Sequence, residues 1–319
     1  DQLGFSLEEN RSLLRQLKAG YTTDEVRHRA LGVIRSMLWQ GITAIRTQVD
    51  VDPTAGLTPL EALVQLKADC EPYVSLQLCA FPQEGVVSRD ARALVEKALD
   101  SGADLLGGLP LVEKTPEDRQ RHVDLLFSIA KAHDVDLEVQ VDESNDPRDF
   151  ILPYLARKTI EEGYEGRVAA THCIALSHVD AAEAKRTIRL VRDAGMTVIV
   201  TPSCNLITRF PEDVRGRGYN SIVRVKDLLA SDVPVALGTD NIRDIFYPLG
   251  NGSMIREMHV LATSTRMTGA GDADELAQMA TVNGARLLGL RYGVEVGKAA
   301  DLVVTAARSV RELINTTPL

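Results

Sequence analysis

The sequence predicts an α/β protein with a parallel sheet, and the preferred architecture is a (β/α)8 TIM-type barrel. Short apolar runs with almost no charge alternate with longer amphipathic stretches along the chain. That alternation is typical of buried parallel strands connected by crossover helices. The helix-to-strand turns are tight and often contain glycine, as at Gly41, Gly102 and Gly195, whereas the loops after the strands are longer and polar. In barrels this asymmetry places the chemistry at the C-terminal ends of the strands.

Seven strands and six main helices follow from these patterns. The predicted strands are 42–49, 74–81, 104–109, 137–141, 168–172, 197–201 and 233–239. The predicted helices are 24–40, 59–70, 90–101, 116–133, 180–194 and 221–230. Seven strands do not close an eight-stranded barrel, and Ser6 followed by Glu9 resembles a capping box that opens a helix. We therefore expect a first strand to be missing before residue 1. A doubly wound open sheet, which needs no eighth strand, is the alternative.

Composition narrows the classes of function. The net charge of −9 argues against a nucleic-acid partner, because phosphate binding requires basic surface. The sequence lacks an apolar run of about 18 residues and a signal peptide, so we expect a cytoplasmic protein that does not bind membranes. The four cysteines show no CxxC spacing and are predicted to be reduced thiols.

Polar residues follow most of the predicted strands. In chain order they are Gln48, Gln83, Gln140 with Glu143, His172, and Asp240 with Asn241. Because the ends of barrel strands converge, we expect Glu143, His172 and Asp240 to line one cavity. A ring of one histidine, carboxylates and carboxamides is typical of a metal-assisted hydrolase.

Each of these residues also has a structural alternative. His172 could be a satisfied core histidine, Asp240 could cap the next helix, and Glu143 and Gln83 could be ordinary loop residues. The histidines on helical patterns are predicted to lie on the surface or on a helix face; they are His28, His122, His133 and His259.

An ordered set of motifs runs over nearly the whole chain. The motifs are RTQVD at 46–50, FPQEG at 81–85, QVDE at 140–143, TH at 171–172, GTDN at 238–241, YPLG at 247–250 and the segment 293–304. Together they resemble the amidohydrolase superfamily, in the branch that contains cytosine deaminase and isopropylammelide amidohydrolase. The resemblance implies a barrel domain over residues 1–290 and, at 291–319, a remnant of the return to a small β-sandwich, most of which is missing here.

The resemblance also implies a chemistry and a set of roles. One divalent metal, zinc or iron, would activate a water that hydrolyses a C–N bond of a nitrogen heterocycle. His172 and Asp240 would be metal ligands, Asp240 would also act as a base, and Glu143 would shuttle the proton. Gln83 would bind the ring amide of the substrate, and Asn241 would lie near the substrate.

The sequence departs from that pattern at the metal. The strand that carries a His-x-His pair is absent, Gln140 replaces the histidine of the central strand, and Gln48 stands where a histidine is usual. Gln48 and Gln140 are therefore expected to line the substrate cavity, and the metal is expected to be weakly held or absent. Glutamine is a poor ligand for zinc or iron compared with imidazole.

Three hypotheses remain open at this point. The chain could be a metal-dependent deaminase of a small heterocycle. It could instead be a metal-free descendant that binds a heterocycle or performs acid–base chemistry, or it could be a non-catalytic scaffold. The substrate is not specified by the sequence, and a homo-oligomer is expected only by analogy with related enzymes.

Overall fold

The structure, a computed structural model, describes residues 7–211, 220–269, 271–291 and 293–316. The predicted capping box at Ser6 lies outside these residues. The strands are β1 (Ala44–Asp50), β2 (Ser75–Phe81), β3 (Leu105–Gly108), β4 (Leu137–Val141), β5 (Val168–His172), β6 (Thr197–Val200) and β7 (Val235–Leu237).

Helices precede the sheet, connect its strands and follow its last strand. They are α1 (Leu7–Lys18), α2 (Thr23–Trp39), α3 (Thr58–Cys70), α4 (Arg89–Asp100), α5 (Pro116–His133), α6 (Leu152–Glu161), α7 (Ala181–Asp193), α8 (Pro202–Leu206), α9 (Val225–Leu229), α10 (Met254–Thr265), α11 (Asp272–Ala280), α12 (Val282–Leu287) and α13 (Val310–Thr316). Three short 3-10 helices cover Pro110–Val112, Pro147–Asp149 and Ile174–Ser177.

All seven strands are parallel, and each pairs with its neighbours in sequence order, β1 to β7. A doubly wound sheet reverses its strand order near the middle, so the consecutive order rules out that alternative. The sheet curls as most of a barrel, with β1 and β7 as its two edges among the described residues. The α/β class and the seven predicted strands are confirmed. Their ends differ from the prediction by up to two residues, as at β1 and β7.

Local sequence signals set the helix ends. Thr22, Ser88, Thr115 and Asp180 each use their side chain to cap the helix that follows. These caps accept a backbone N–H that would otherwise have no partner in the first turn. At the other end, Gly195 follows α7 with φ of +60°, and a Cβ there would lie 3.1 Å from the backbone nitrogen of Gly166. Glycine is required there for conformation and for space.

Two different environments lie on the two faces of the sheet. The outward strand residues, such as Leu78, Val139 and Val198, pack against the helices in the main hydrophobic core. The inward residues include a small apolar cluster at the lower end of the barrel, formed by Ala169, Ile199, Ala236 and the partly buried Leu287. This cluster is flanked by polar inward residues rather than by a continuous apolar layer.

Arg46, Gln77 and Glu138 form that polar part of the barrel interior. Arg46 makes an ion pair with Glu138 at 3.0 Å and also donates to Gln77 Oε1. The end of α12 closes the barrel beneath them, because Leu287 and Leu288 supply backbone carbonyls to Arg46 and Gln77 at 2.9 Å each. These contacts give each of the three polar side chains a partner inside the barrel.

His122 fulfils the helix-face alternative of its prediction and not the surface alternative. His122 lies on α5 but has no exposed surface; Leu109 N donates to its Nε2 at 3.2 Å, and Glu113 Oε1 lies 2.9 Å from its Nδ1. Burial lowers the pKa of His122. A helix-face pattern does not show what packs against that face, and here the end of β3 covers it.

All four cysteines are free thiols, as predicted, and the structure shows that all four are buried. Within the described ranges no helix is long and apolar enough to cross a membrane. Near the C-terminus, Val294, Val296 and Val304 are almost fully exposed, whereas Ile314 of α13 is buried in the main core. The domain boundary between residues 290 and 291 stays a prediction.

Candidate active site

Three side chains from three different strand ends meet at the C-terminal mouth of the barrel. His172 ends β5 and Asp240 follows β7, and His172 Nδ1 lies 3.9 Å from Asp240 Oδ2. Glu143 follows β4 and is close enough for its charge to raise the pKa of Asp240. The structure thus brings Glu143, His172 and Asp240 to the same mouth, at the end of the barrel where this fold carries its chemistry.

The backbone is unusual at the same three strand ends. Asp142, His172 and Asp240 have φ values of +55°, +72° and +55°. Left-handed backbone is uncommon in residues with a Cβ, and it clusters at functional sites, where the surrounding structure holds it. At each of these positions the chain leaves the extended conformation at the end of a strand. No residue pattern in the sequence predicts these left-handed conformations.

His172 is 1% exposed and is held on one side by two polar residues. Its Nδ1 lies 3.2 Å from Thr201 Oγ1 and 2.9 Å from Asn205 Nδ2. Thr201 follows β6, and Asn205 lies on α8, which begins directly after it. The Thr201 side chain also lowers the pKa of Asp240, so it lies beside both the His172 ring and the Asp240 carboxyl group.

The pKa of the Asp240 carboxyl group is raised toward neutral pH. Burial raises its pKa to about 6; the nearby His172 lowers it, and the charges of Glu143 and Asp244 raise it. Its side chain retains 16% exposure, so it faces the cavity rather than the core. A carboxyl group with such a pKa can gain and lose a proton close to neutral pH, which is what general acid–base chemistry requires.

Asp142, next to Glu143, has a structural role. It is 1% exposed, and its two carboxylate oxygens accept from the backbone nitrogens of Ile151 and Leu152 at 2.7 and 3.2 Å. It thereby caps the start of α6. Burial raises the pKa of Asp142 to about 7, although the two backbone hydrogen bonds oppose that shift. This anchor fixes the segment that carries Glu143.

Gln83 accepts a hydrogen bond from a lysine of α1, a residue that was not among the predicted site residues. Lys18, at the end of α1, donates to Gln83 Oε1 at 2.7 Å. It also makes ion pairs with Asp50 and Asp52 at 2.8 and 2.6 Å. These three oxygens match the three donors of an ammonium group. Because lysine only donates, Oε1 of Gln83 must face it, and Nε2 remains available to a ligand.

Gln48 and Gln140 both point into the barrel, from β1 and β4, which are separated by β2 and β3. Gln48 Nε2 donates to Glu138 Oε1 at 2.7 Å, and its own Oε1 is buried without a hydrogen-bond partner among the described residues. Gln140 pairs in register with Thr171. Its partly buried side chain makes no hydrogen bond within the described part of the chain. Glu138 was not among the predicted site residues. It lies two residues before Gln140 on β4, so both side chains face the barrel interior.

Asn241 is tied into its own loop. Its Nδ2 donates to Asp244, which also accepts from the backbone nitrogens of Phe246 and Tyr247 at 3.0 and 2.9 Å. The Asn241 backbone is equally confined, because a Cβ at Gly250 would lie 2.1 Å from its carbonyl oxygen. This geometry shapes the rim beside Asp240.

The donor set at the mouth does not fit a zinc or iron ion by itself. Catalytic zinc sites use three protein ligands, mostly imidazole or thiolate, whereas this mouth offers one imidazole and one carboxylate beside carboxamides. In the ranges that the structure describes, no group of three or more His, Cys, Asp and Glu side chains could hold a metal ion. His172 and Asp240 remain the residues that could contribute to such a site.

Comparisons with known proteins agree with this geometry. The profile of a family described as "Amidohydrolase family" matches residues 3–317. N-isopropylammelide isopropyl amidohydrolase from Pseudomonas sp. (strain ADP) is 31% identical over 290 residues, which are 89% of this chain and 67% of that protein. Pterin deaminase from Rhizobium rhizogenes is 28% identical over 93% of this chain and 68% of its own length.

Solved structures show the same likeness. The crystal structure of 5-methylcytosine deaminase from Klebsiella pneumoniae liganded with 5-fluorocytosine superposes with a TM-score of 0.92 and 30% identity, covering 98% of this chain and 76% of that one. N-isopropylammelide isopropylaminohydrolase from Burkholderia multivorans gives a TM-score of 0.79 and 28% identity, covering 90% and 70%. The chain therefore corresponds to about two thirds to three quarters of each relative.

Proposed function

The chain belongs to the amidohydrolase family, and from that premise we propose that it hydrolyses a C–N bond of a nitrogen heterocycle. The proposed substrate is a small ring compound of the cytosine or ammelide kind. The observation that carries the proposal is the pair of Glu143 and Asp240 at one mouth, with the pKa of Asp240 raised to about 6. Two interacting carboxyl groups that differ in environment are suited to separate proton-transfer roles.

The proposed reaction is a hydrolysis in which water is the only co-reactant. Water adds to the ring carbon that bears the amino group, the C–N bond breaks, and the ring keeps the oxygen. Asp240 takes a proton from the attacking water, and Glu143 delivers one to the departing amine. Gln83 is proposed to bind the ring through its free Nε2, with Gln48, Gln140 and Asn241 lining the substrate cavity.

Members of the family typically hold a divalent metal ion, which would supply an activated water. The donor set described here does not fit that ion, so the proposed roles are limited to this chain's own side chains. His172 and Asp240 are the positions at which a metal would be held if further ligands were supplied.

The test is a turnover assay with a small panel of ring compounds. The panel is 5-methylcytosine, N-isopropylammelide and a pterin, with release of ammonia or isopropylamine as the readout. It is run with added zinc and with a chelator. We expect release from at least one compound, and a loss of about 10²- to 10⁴-fold for Glu143→Gln and Asp240→Asn. The exposed Glu165→Gln is the matched control. Equal rates for all three variants would remove the proposed roles.

A second candidate is binding of the heterocycle without hydrolysis. The observation that favours it is the pair of carboxamides, Gln48 and Gln140, at positions where the resemblance implies histidine. Carboxamides hydrogen-bond to ring edges but ligate transition metals poorly. Saturable binding of a panel compound, measured by calorimetry, with no product in either metal condition would select this candidate over the first.

A further inference from the structure

Lys18 joins three side chains at the ends of β1 and β2. Its ammonium nitrogen lies 2.6 Å from Asp52 Oδ2, 2.8 Å from Asp50 Oδ2 and 2.7 Å from Gln83 Oε1. The lysine side chain has no exposed surface, and these three oxygens account for the three donors of its ammonium group. A lysine whose donors are all committed orients the groups that accept from it.

The two aspartates differ in what their second oxygen contacts. Oδ1 of Asp52 accepts from the backbone nitrogens of Thr54 and Ala55 at 3.1 and 2.9 Å, and the residue is fully buried. Asp52 is therefore a structural counter-ion. Oδ1 of Asp50 makes no hydrogen bond with any residue in the described ranges, and the Asp50 side chain is 20% exposed. Asp50 thus keeps one acceptor that a ligand can use.

Asp50 faces the barrel interior at the level of the mouth. It lies two residues after the inward-facing Gln48 on β1, and side chains two residues apart point to the same face of a strand. It also pairs in register with Phe81, the last residue of β2, and Gln83 follows two residues later. Oδ1 of Asp50 and Nε2 of Gln83 therefore belong to neighbouring side chains at the mouth where the strand ends converge.

The ammonium group determines what each of these neighbours offers to a ligand. Because lysine only donates, it binds Oε1 of Gln83 and leaves the NH₂ group, which is a donor. It binds Oδ2 of Asp50 and leaves Oδ1, which is an acceptor when the carboxyl group is ionised. Burial raises the pKa of Asp50, and the charge of Lys18 opposes that rise. Lys18 therefore favours both halves of a donor–acceptor pair.

We propose that Asp50 is a further substrate-binding residue, which Lys18 positions beside Gln83 so that the pair recognises a cyclic amide edge, a ring N–H next to a carbonyl oxygen. The NH₂ group of Gln83 donates to the carbonyl oxygen, and Oδ1 of Asp50 accepts from the ring N–H. A site built to satisfy both groups rejects a ring that lacks one of them. The inference rests on the proposed function for the place where the ring binds, and it does not require hydrolysis.

Two rings of the same shape test the pair by binding alone. 2-Pyridone has a cyclic amide edge and no amino group, and 2-pyrone has an oxygen in place of the ring N–H. NMR titration of the chelator-treated protein measures both dissociation constants. We expect 2-pyridone to bind at least about tenfold more tightly than 2-pyrone. Equal affinities, or no saturable binding of 2-pyridone, would overturn the proposal.

Exchanging the polarity of the two side chains assigns the effect to named atoms. Gln83→Glu keeps an oxygen towards Lys18 and turns the donor at the cavity into an acceptor, whereas Asp50→Asn turns the acceptor into a donor. Each single variant is expected to weaken 2-pyridone binding by about tenfold or more.

The double variant, Asp50→Asn with Gln83→Glu, again places one donor beside one acceptor, in exchanged positions. We expect its affinity for 2-pyridone to recover to within about threefold of wild type, because the two sites are coupled. The exposed Gln65→Glu and Asp193→Asn are the matched controls and should leave the affinity unchanged. A double variant that binds no better than the single variants would contradict the donor–acceptor pair.

Lys18→Met tests the positioning residue. Without the ammonium group, both side chains can turn, so the preference for 2-pyridone over 2-pyrone should fall below about threefold. This ratio does not respond to a general loss of stability, because both rings bind the same folded fraction; an unchanged ratio would remove Lys18 from the proposal. Gln83→Glu leaves the partners of Lys18 in place, so the binding test does not depend on the folding of Lys18→Met. If 2-pyridone binds as expected and no ring compound is hydrolysed, the proposed function fails and this inference stands.

Discussion

The ammonium nitrogen of Lys18 lies 2.6 Å from Asp52 Oδ2, and neither side chain has exposed surface. This contact connects α1, which precedes the sheet, to the segment that follows β1. The same ammonium group holds Gln83. Desolvation opposes the lysine charge, but Asp50 and Asp52 raise the pKa of Lys18 above its ordinary value. The group therefore stays charged inside the protein, and it depends on its partners to do so.

Lys18→Met is expected to destabilise the protein by about 3–5 kcal/mol. Removing one partner of a buried ion pair leaves an uncompensated charge, which costs more than the pair itself contributes. The measurement is the free energy of unfolding in urea. Lys185→Met, on the exposed face of α7, is the control and should stay within about 0.5 kcal/mol of wild type. Adding Asp52→Asn to Lys18→Met should recover part of the loss, and a further loss instead would contradict the ion-pair explanation.

The raised pKa of Asp142 predicts how the free energy of unfolding depends on pH. Its pKa in the folded protein is raised to about 7, whereas an unfolded aspartate titrates near about 3.9. Between these values the unfolded chain has released the proton and the folded protein has kept it. The free energy of unfolding therefore falls as pH rises from about 4 to about 7, by roughly 4 kcal/mol, and is flat above that range.

The Asp142→Asn variant isolates this contribution. Asparagine keeps the shape and does not titrate, so its stability should lack that slope. Urea unfolding of both proteins at several pH values between about 5 and 8 measures the difference. The exposed Asp193→Asn should retain the wild-type slope. Parallel curves for wild type and Asp142→Asn would mean that Asp142 is ionised throughout.

Glu143→Gln is expected to lower the pKa of Asp240. The Glu143 charge is one of the causes that raise that pKa to about 6. Once the charge is removed, ionisation of Asp240 becomes easier, and its titration moves to lower pH. Carboxyl ¹³C NMR of the chelator-treated protein follows Asp240 directly. Glu165→Gln should leave the midpoint unchanged, and an unchanged midpoint in Glu143→Gln would place the two carboxylates too far apart to share a site.

Gln140→His is expected to strengthen zinc binding. It adds an imidazole one strand away from His172, giving with Asp240 the three protein ligands that a catalytic zinc site uses. Equilibrium dialysis should show tighter zinc retention than wild type, by about tenfold or more, which corresponds to about 1.4 kcal/mol. The exposed Gln65→His on α3 controls for an added histidine. Asp240→Asn in the Gln140→His background should abolish the gain; zinc retention that survives it would place the ion elsewhere.

The sequence alone predicted the order of the helices and strands and the positions of the candidate site residues. Apolar runs such as 137–141 and 168–172 coincide with β4 and β5, because strands buried on both faces require continuous apolar sequence. Strand order then follows from short connections, and the polar residues after each strand must gather at one mouth. That reasoning places His172 and Asp240 together without any coordinates.

The sequence alone did not predict the contacts between residues that are far apart along the chain. The Lys18 side chain is buried although its surroundings on α1 are polar, because Asp50, Asp52 and Gln83 meet it only after folding. The left-handed turns at Asp142, His172 and Asp240 leave no composition signal. The polar partners of the His172 ring, Thr201 and Asn205, lie about thirty residues further along the chain. Periodicity reports which face of an element is buried, whereas partners and protonation are set by distances that only the tertiary structure determines.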